Sequence, residues 1–157
     1  MNSSESIADS LRRTLTGPMW HGDAVNQLLS GVPASDAANR PVPGAHTIWE
    51  LVLHMTAWAN IAHMRLASKP QREPTAAEDW PPLTGGQSIE AWSDAQMRLT
   101  EAYERLAQKT ETLDRDALQA QVPGHDYSVR TMLIGVVEHG AYHGGQIGLL
   151  KRALVSE

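Results

Sequence analysis

The chain has 157 residues, 41% hydrophobic and 20% charged, with a formal net charge of −5 and no cysteine. This size fits one domain over residues 1–157, burying about two thirds of the surface its unfolded chain exposes. The acidic balance and scattered Lys and Arg argue against nucleic acid as a partner, and the lack of thiols leaves imidazole and carboxylate as metal ligands.

In chain order, the first helix begins near Ser4 and carries Ile7, Leu11 and Leu15 at helical spacing until Gly17-Pro18 breaks it. A second stretch, about Trp20 to Ser30, reads as its continuation, ending at Gly31. Residues 33–39 suit a short turn, and Pro41-Val42-Pro43-Gly44 forces an extended loop. Thr47 and Glu50 then form a capping-box pattern at the head of a helix running to about Ser68, apolar over a wide arc. The proline-bearing segment Lys69 to Gln87 is expected to be a non-helical connector, with Trp80-Pro81-Pro82 available to cover one end.

Ser88 caps the next helix, through about Lys109, with Glu101 and Arg105 as a favourable i,i+4 pair. A short turn around Asp114 to Gln119 precedes a last helix from Val129 to about Ala153, capped by Ser128. Lys151 and Arg152 suit its C-terminal dipole. The fold expected is all-α, a four-helix bundle. A connector of roughly 19 residues exceeds the 2–8 usual between antiparallel neighbours, which predicts up-down-down-up order. No segment nears the roughly 18 apolar residues of a membrane span, and Met1 to Arg12 does not resemble a secretory signal, so a cytoplasmic protein with no membrane partner is expected.

The chemistry concentrates in the histidines. His139 and His143 stand one turn apart in the stripe Met132, Val136, His139, His143, Ile147 and Leu150. Each buried imidazole needs partners for two nitrogens, and one divalent ion would satisfy a nitrogen of both. His54, among Leu51, Met55 and Trp58, offers a third, unless it is bonded to Tyr142 or a carboxylate. Three nitrogen ligands with open positions suit zinc, nickel, iron or copper. His63 falls about half a turn from His54 on the wheel and is expected to be exposed, while His46 and His125 lie in loops. His21 is a candidate fourth ligand or proton donor, and Glu50 a candidate base, although the capping box offers Glu50 a structural task. The Glu of the thermolysin-type zinc motif is missing from His139-Gly140-Ala141-Tyr142-His143.

The chain lacks Phe, so Trp20, Trp58, Trp80, Trp92 and Tyr142 are the candidate pocket walls or core aromatics. Gly140, Gly144 and Gly148, flanked by Gly135 and Gly145, form a stripe that costs a helix about 1 kcal/mol per residue. Close packing is the expected compensation for most of them, within the bundle or across a dimer interface.

Several segments together resemble the DinB/YfiT-like superfamily. They are Trp20-His21-Gly22, the run Ala45-His46-Thr47-Ile48-Trp49-Glu50-Leu51-Val52-Leu53-His54 with Trp58, Asp79-Trp80-Pro81, and the closing His139-Gly140-Ala141-Tyr142-His143-Gly144-Gly145-Gln146-Ile147. The resemblance implies an up-down-down-up bundle, often a homodimer, with a metal on His54, His139 and His143. Zinc or nickel is the expected ion, with iron or manganese as alternatives. It also implies a metal-dependent hydrolase or a low-molecular-weight-thiol-dependent transferase, acting on a small molecule or thiol, bacillithiol and mycothiol being examples. A non-catalytic metal or small-ligand binder connected with stress is the alternative, and a purely structural role for the histidines is a third.

Overall fold

The computed structural model describes residues 3–67, 69–84 and 86–155. Among them are eight helices and no strand: α1 (Ser3–Thr16), α2 (Val25–Leu29), α3 (Ala34–Ala38), α4 (Ile48–Arg65), α5 (Ala76–Asp79), α6 (Ile89–Glu111), α7 (Arg115–Gln119) and α8 (Val129–Val155). The protein is all-α.

Helix starts follow the chemistry of their caps. Thr47 Oγ1 accepts from the Glu50 amide at 3.1 Å, and Glu50 Oε2 accepts from the Thr47 amide at 2.7 Å. Ser88 accepts from the Ala91 amide at 3.1 Å, Ser128 from Thr131 at 3.1 Å and Asp114 from Ala117 at 2.8 Å. Each such cap stabilises its helix by about 1 kcal/mol.

The four long helices share one core. α1 and α4 each pack on both α6 and α8. Leu11, Leu51, Leu99, Leu106, Leu133 and Ile147 are fully buried at their meeting lines, each contributing about 1.5–3 kcal/mol through lost apolar exposure. Trp49 tilts against Trp92 with ring centroids 5.1 Å apart, and Trp92 Nε1 donates to the Val32 carbonyl at 2.8 Å. Arg105 reaches from α6 to Asn60 of α4, Nη2 to Oδ1, at 2.9 Å. Among the described residues the expected Glu101–Arg105 pair does not appear, and Arg105 turns to Asn60 of the neighbouring helix instead.

Other departures have similar causes. Residues 20–24 are not helical: Gly22 has φ +145°, which no helix accommodates, and Met19 and Gly22 form an isolated bridge. Helix therefore resumes only at Val25. Pro33 to Asn39 closes into α3, and the connector after α4 contains the one-turn α5, capped reciprocally by Thr75 and Glu78. α4 ends at Arg65, and the expected end at Ser68 lies outside the described residues. Lys151 donates to the Leu28 and Ser30 carbonyls at 2.9 and 2.7 Å. Its charge therefore serves the end of α2.

The glycine stripe divides by position. A Cβ on Gly140 would lie 2.3 Å from Thr14 Cγ2 and 2.9 Å from Tyr103 Oη, so close approach of α1 and α6 requires Gly there. A Cβ on Gly144 would meet Leu28 and Val25, and one on Gly148 would meet Leu28, at ordinary contact distances, while a Cβ on Gly135 or Gly145 would meet nothing within 4 Å.

Candidate metal centre

α4 and α8 bring three imidazoles together. His54 and His143 are buried and His139 is half-buried. Their Nε2 atoms converge: His139 Nε2 is 3.0 Å from His54 Nε2 and 3.0 Å from His143 Nε2. The i,i+4 spacing on α8 supplies two rings, and the α4–α8 packing supplies the third.

Each of the outer rings is oriented by its other nitrogen. His54 Nδ1 donates to the Asp79 carbonyl at 2.6 Å and stands 3.2 Å from Asp79 Oδ1. His143 Nδ1 donates to Gln146 Oε1 at 2.6 Å. With the Nδ1 protons committed, both Nε2 atoms present lone pairs toward His139. A single His139 Nε2–H cannot serve two lone pairs fully, and His139 Nδ1 is buried with no hydrogen-bond partner among the described residues. As bare protein the cluster is thus short of positive charge and of donors.

A divalent ion fits this deficit, because it accepts three nitrogen lone pairs at once. Two nitrogens about 2.0–2.1 Å from a tetrahedral ion stand about 3.3 Å apart, close to the separations found. The donor set of neutral imidazoles backed by a carbonyl, a carboxylate and an amide is the usual outer support of a metal-binding histidine.

The aromatic surroundings are specific. Trp80, carried by the end of α5, lies between two imidazoles, stacked on His54 with centroids 3.8 Å apart and on His46 at 3.5 Å. Trp58 Nε1 donates to Asp79 Oδ1 at 2.7 Å. Asp79 and Trp80 therefore tie the connector to the cluster, the covering role its sequence made available. Trp92 belongs to the core, whereas Trp20 and Tyr142 are 98% and 65% exposed. Tyr142 does not reach His54. Its ring lies 5.0 Å from that of His143, and its hydroxyl accepts from Gln146 Nε2 at 3.4 Å.

His21 stands exposed in the turn before α2, outside the group of three. Glu50, half-buried, is occupied by its cap, by Arg40 Nη2 at 2.8 Å and by His46 Nδ1 at 3.3 Å. These bonds outweigh burial and hold its carboxyl below the usual range, although desolvation is the largest single influence and acts upward. His63 is half-buried, contrary to expectation, because the wide apolar arc of α4 leaves little of that helix open. His125 packs on Tyr127 at 5.0 Å and pairs with Glu73 at 3.4 Å.

A family model described as the DinB superfamily matches residues 19–147. The chain belongs to the DinB superfamily. No curated protein and no solved structure matches it, so its membership rests on a span that contains all three clustered histidines. This DinB-superfamily protein brings three histidines close enough to hold one ion, and three further residues, one bonded to His143 and two lining a cavity beside His139, were not singled out from sequence. Gln146, one turn after His143, carried a helical-spacing signal. Arg65, at eleven residues from His54 and seven from Trp58, lies on the same stripe of α4 and is 5% exposed. Tyr127, before α8, carried none.

Asp79→Ala should weaken zinc binding about tenfold, within the 10–100-fold range for loss of an outer partner. The retained backbone carbonyl keeps the effect at the lower end, and competition with a chromophoric chelator measures it. Unchanged affinity would mean that the carboxylate does not support His54.

Proposed function

We propose that His54, His139 and His143 hold one divalent transition ion, zinc or nickel first, and that this DinB-superfamily protein is a metal-dependent enzyme. The class is a hydrolase or a low-molecular-weight-thiol-dependent transferase. The observation that carries the reading is the convergence of three Nε2 atoms, two of them with lone pairs committed inward by Asp79 and Gln146. When bound, such an ion supplies Lewis acidity that polarises a substrate oxygen or sulfur and eases its deprotonation.

The chain's own residues prepare that chemistry. Asp79 and Gln146 fix the ring tautomers. Trp80 shields one face of His54 from water by stacking, which strengthens electrostatic interactions at the cluster. Trp58 forms a wall on the side of His139, their ring centroids being 6.2 Å apart.

The reading includes an up-down-down-up bundle. Its support is the pairing of Trp49 with Trp92 and Asn60 with Arg105, which fits parallel α4 and α6, and that of Arg65 with Tyr127, which fits antiparallel α4 and α8. It also includes a cytoplasmic homodimer. Among the described residues no helix is long and apolar enough to cross a membrane, and α8 exposes Tyr142 and Leu149.

Burial lowers all three imidazole pKa values, that of His139 from 6.5 to about 4, with the neighbouring rings adding to the effect there. Protons therefore reach the unfolded chain before the folded one as pH falls. The stability of the metal-free fold is complete above pH 6.5 and declines toward pH 4. By the same sign the ligands stay neutral and metal-competent further into acid than free imidazole. Untagged protein should contain one ion per chain by elemental analysis, retain it at pH 6 and lose it near pH 4. Apo protein that ignores added zinc and nickel overturns the metal site. Metal uptake without turnover on thiol-transfer and hydrolytic panels favours a non-catalytic binder.

A further inference from the structure

Beside His139 a cavity of about 330 Å³ opens between α4 and α8. Trp58 and Ala62 line it from α4, and Met132, Gly135 and Val136 from α8, so its wall is almost wholly apolar. Of the three clustered histidines, His139 is the one at this wall. The volume falls at the lower end of the roughly 300–1,000 Å³ of small-molecule sites. An apolar cavity of about 150 Å³ holds one benzene, so roughly twice that space suits two fused rings.

The polar side chains beside the cavity are largely engaged with one another. Trp58 Nε1 donates to Asp79 Oδ1 at 2.7 Å, which leaves the carbons of its indole to line the space. Arg65 Nη1 donates to Tyr127 Oη at 2.7 Å, and Nη2 donates to Glu73 at 2.9 Å. Arg65 Nε is buried beneath the surface, out of a ligand's reach. Thr131 shares its hydroxyl with Ser128 at 3.0 Å. Glu73 balances the Arg65 charge, so the described residues at this wall hold no unbalanced charge for a ligand to meet.

Gly135 supplies the room. Its φ is not positive, and a Cβ there would meet nothing within 4 Å, so neither backbone conformation nor close packing calls for Gly. Gly is less favourable than Ala in a helix interior. What it provides here is open space at the cavity wall.

We propose that this cavity receives the uncharged, apolar body of the substrate handled at the metal centre, up to the size of a fused bicyclic ring, and that Gly135 sets that limit. Its role as a substrate site rests on the metal reading above, whereas recognition of the apolar body rests on α4 and α8 residues alone. The body lies on Trp58 and Met132 and directs its reacting end toward His139. A charged body of the same shape is rejected, because it would shed its water with no opposite charge to meet it.

Isothermal titration of the full-length protein, zinc-loaded and chelator-stripped, with indole and indole-5-carboxylate tests recognition. Indole should bind both forms, at least about tenfold more tightly than the carboxylate. Gly135→Leu should weaken indole at least about tenfold by filling the space, while keeping its zinc. Gly145→Leu, equally uncrowded but away from this cavity, should bind indole as the wild type does. Indole-induced amide shifts centred on Gly135 and Trp58 locate the probe even if Gly135→Leu fails to fold. The link to the metal is read with 2-naphthylmethanethiol, whose sulfur can ligate zinc and which should bind the zinc-loaded form at least about tenfold more tightly than the stripped one. No indole binding, equal binding of the carboxylate, or an equal loss in Gly145→Leu overturns the apolar site. Thiol binding indifferent to bound zinc overturns its service to the metal centre. Indole binding by a chain that takes up no zinc overturns the metal reading and that link, and upholds the apolar site.

Discussion

His143→Ala is expected to abolish stoichiometric zinc uptake while leaving a folded bundle. Two imidazoles on different helices remain, and the loss in affinity should exceed the about 10–100-fold cost of removing an outer partner. The fold should survive because Ala is the best helix former and because one of the lone pairs crowding His139 is removed. Thermal unfolding provides a second readout. An ion at about one hundred times its dissociation constant stabilises the native state by about 2.7 kcal/mol, so added zinc should raise the melting temperature of the wild type and leave that of the variant unmoved. An equal rise in both would place the ion elsewhere on the chain. Helical circular dichroism matching the wild type separates lost ligation from lost structure.

Gly140→Ala should destabilise the protein, reversing the sign expected of Gly-to-Ala in a helix. Propensity alone favours the change by about 1 kcal/mol. Against it stands a methyl group 2.3 Å from Thr14 Cγ2 and 2.9 Å from Tyr103 Oη, both on buried residues. Overpacking of this kind costs about 1–3 kcal/mol, occasionally more, and neither neighbour has an obvious place to move. Gly145→Ala is the matched control: with nothing within 4 Å it should stabilise by about 1 kcal/mol. Urea unfolding of the pair gives the comparison directly. A stabilised Gly140→Ala would show that α1 and α6 yield more readily than their packing suggests.

The His139–His143 pair was legible because helix geometry is local: four residues make a turn whatever surrounds it. His54 was legible from its apolar stripe. The same periodicity carried Arg65 and Gln146, yet a charged residue at the end of α4 reads as solvated until tertiary contacts bury it. Asp79 was visible only as part of a family-like segment. Its carbonyl and carboxylate meet His54 through a return of the connector across 25 residues, and no local spacing encodes such a return. His21 lies outside the cluster, in a turn beside Gly22, whose φ of +145° no local spacing encodes.

Local sequence by itself determined where helices begin, which stripes are apolar and that two imidazoles share a face, because caps and periodicity act within a turn or two. Tertiary structure decided which nitrogen of each ring faces inward, what shields the cluster, and that Arg65 is buried against Trp58 and bonded to Tyr127. Those outcomes depend on which residues from distant segments come into contact, and contact between distant segments follows from packing of the whole core.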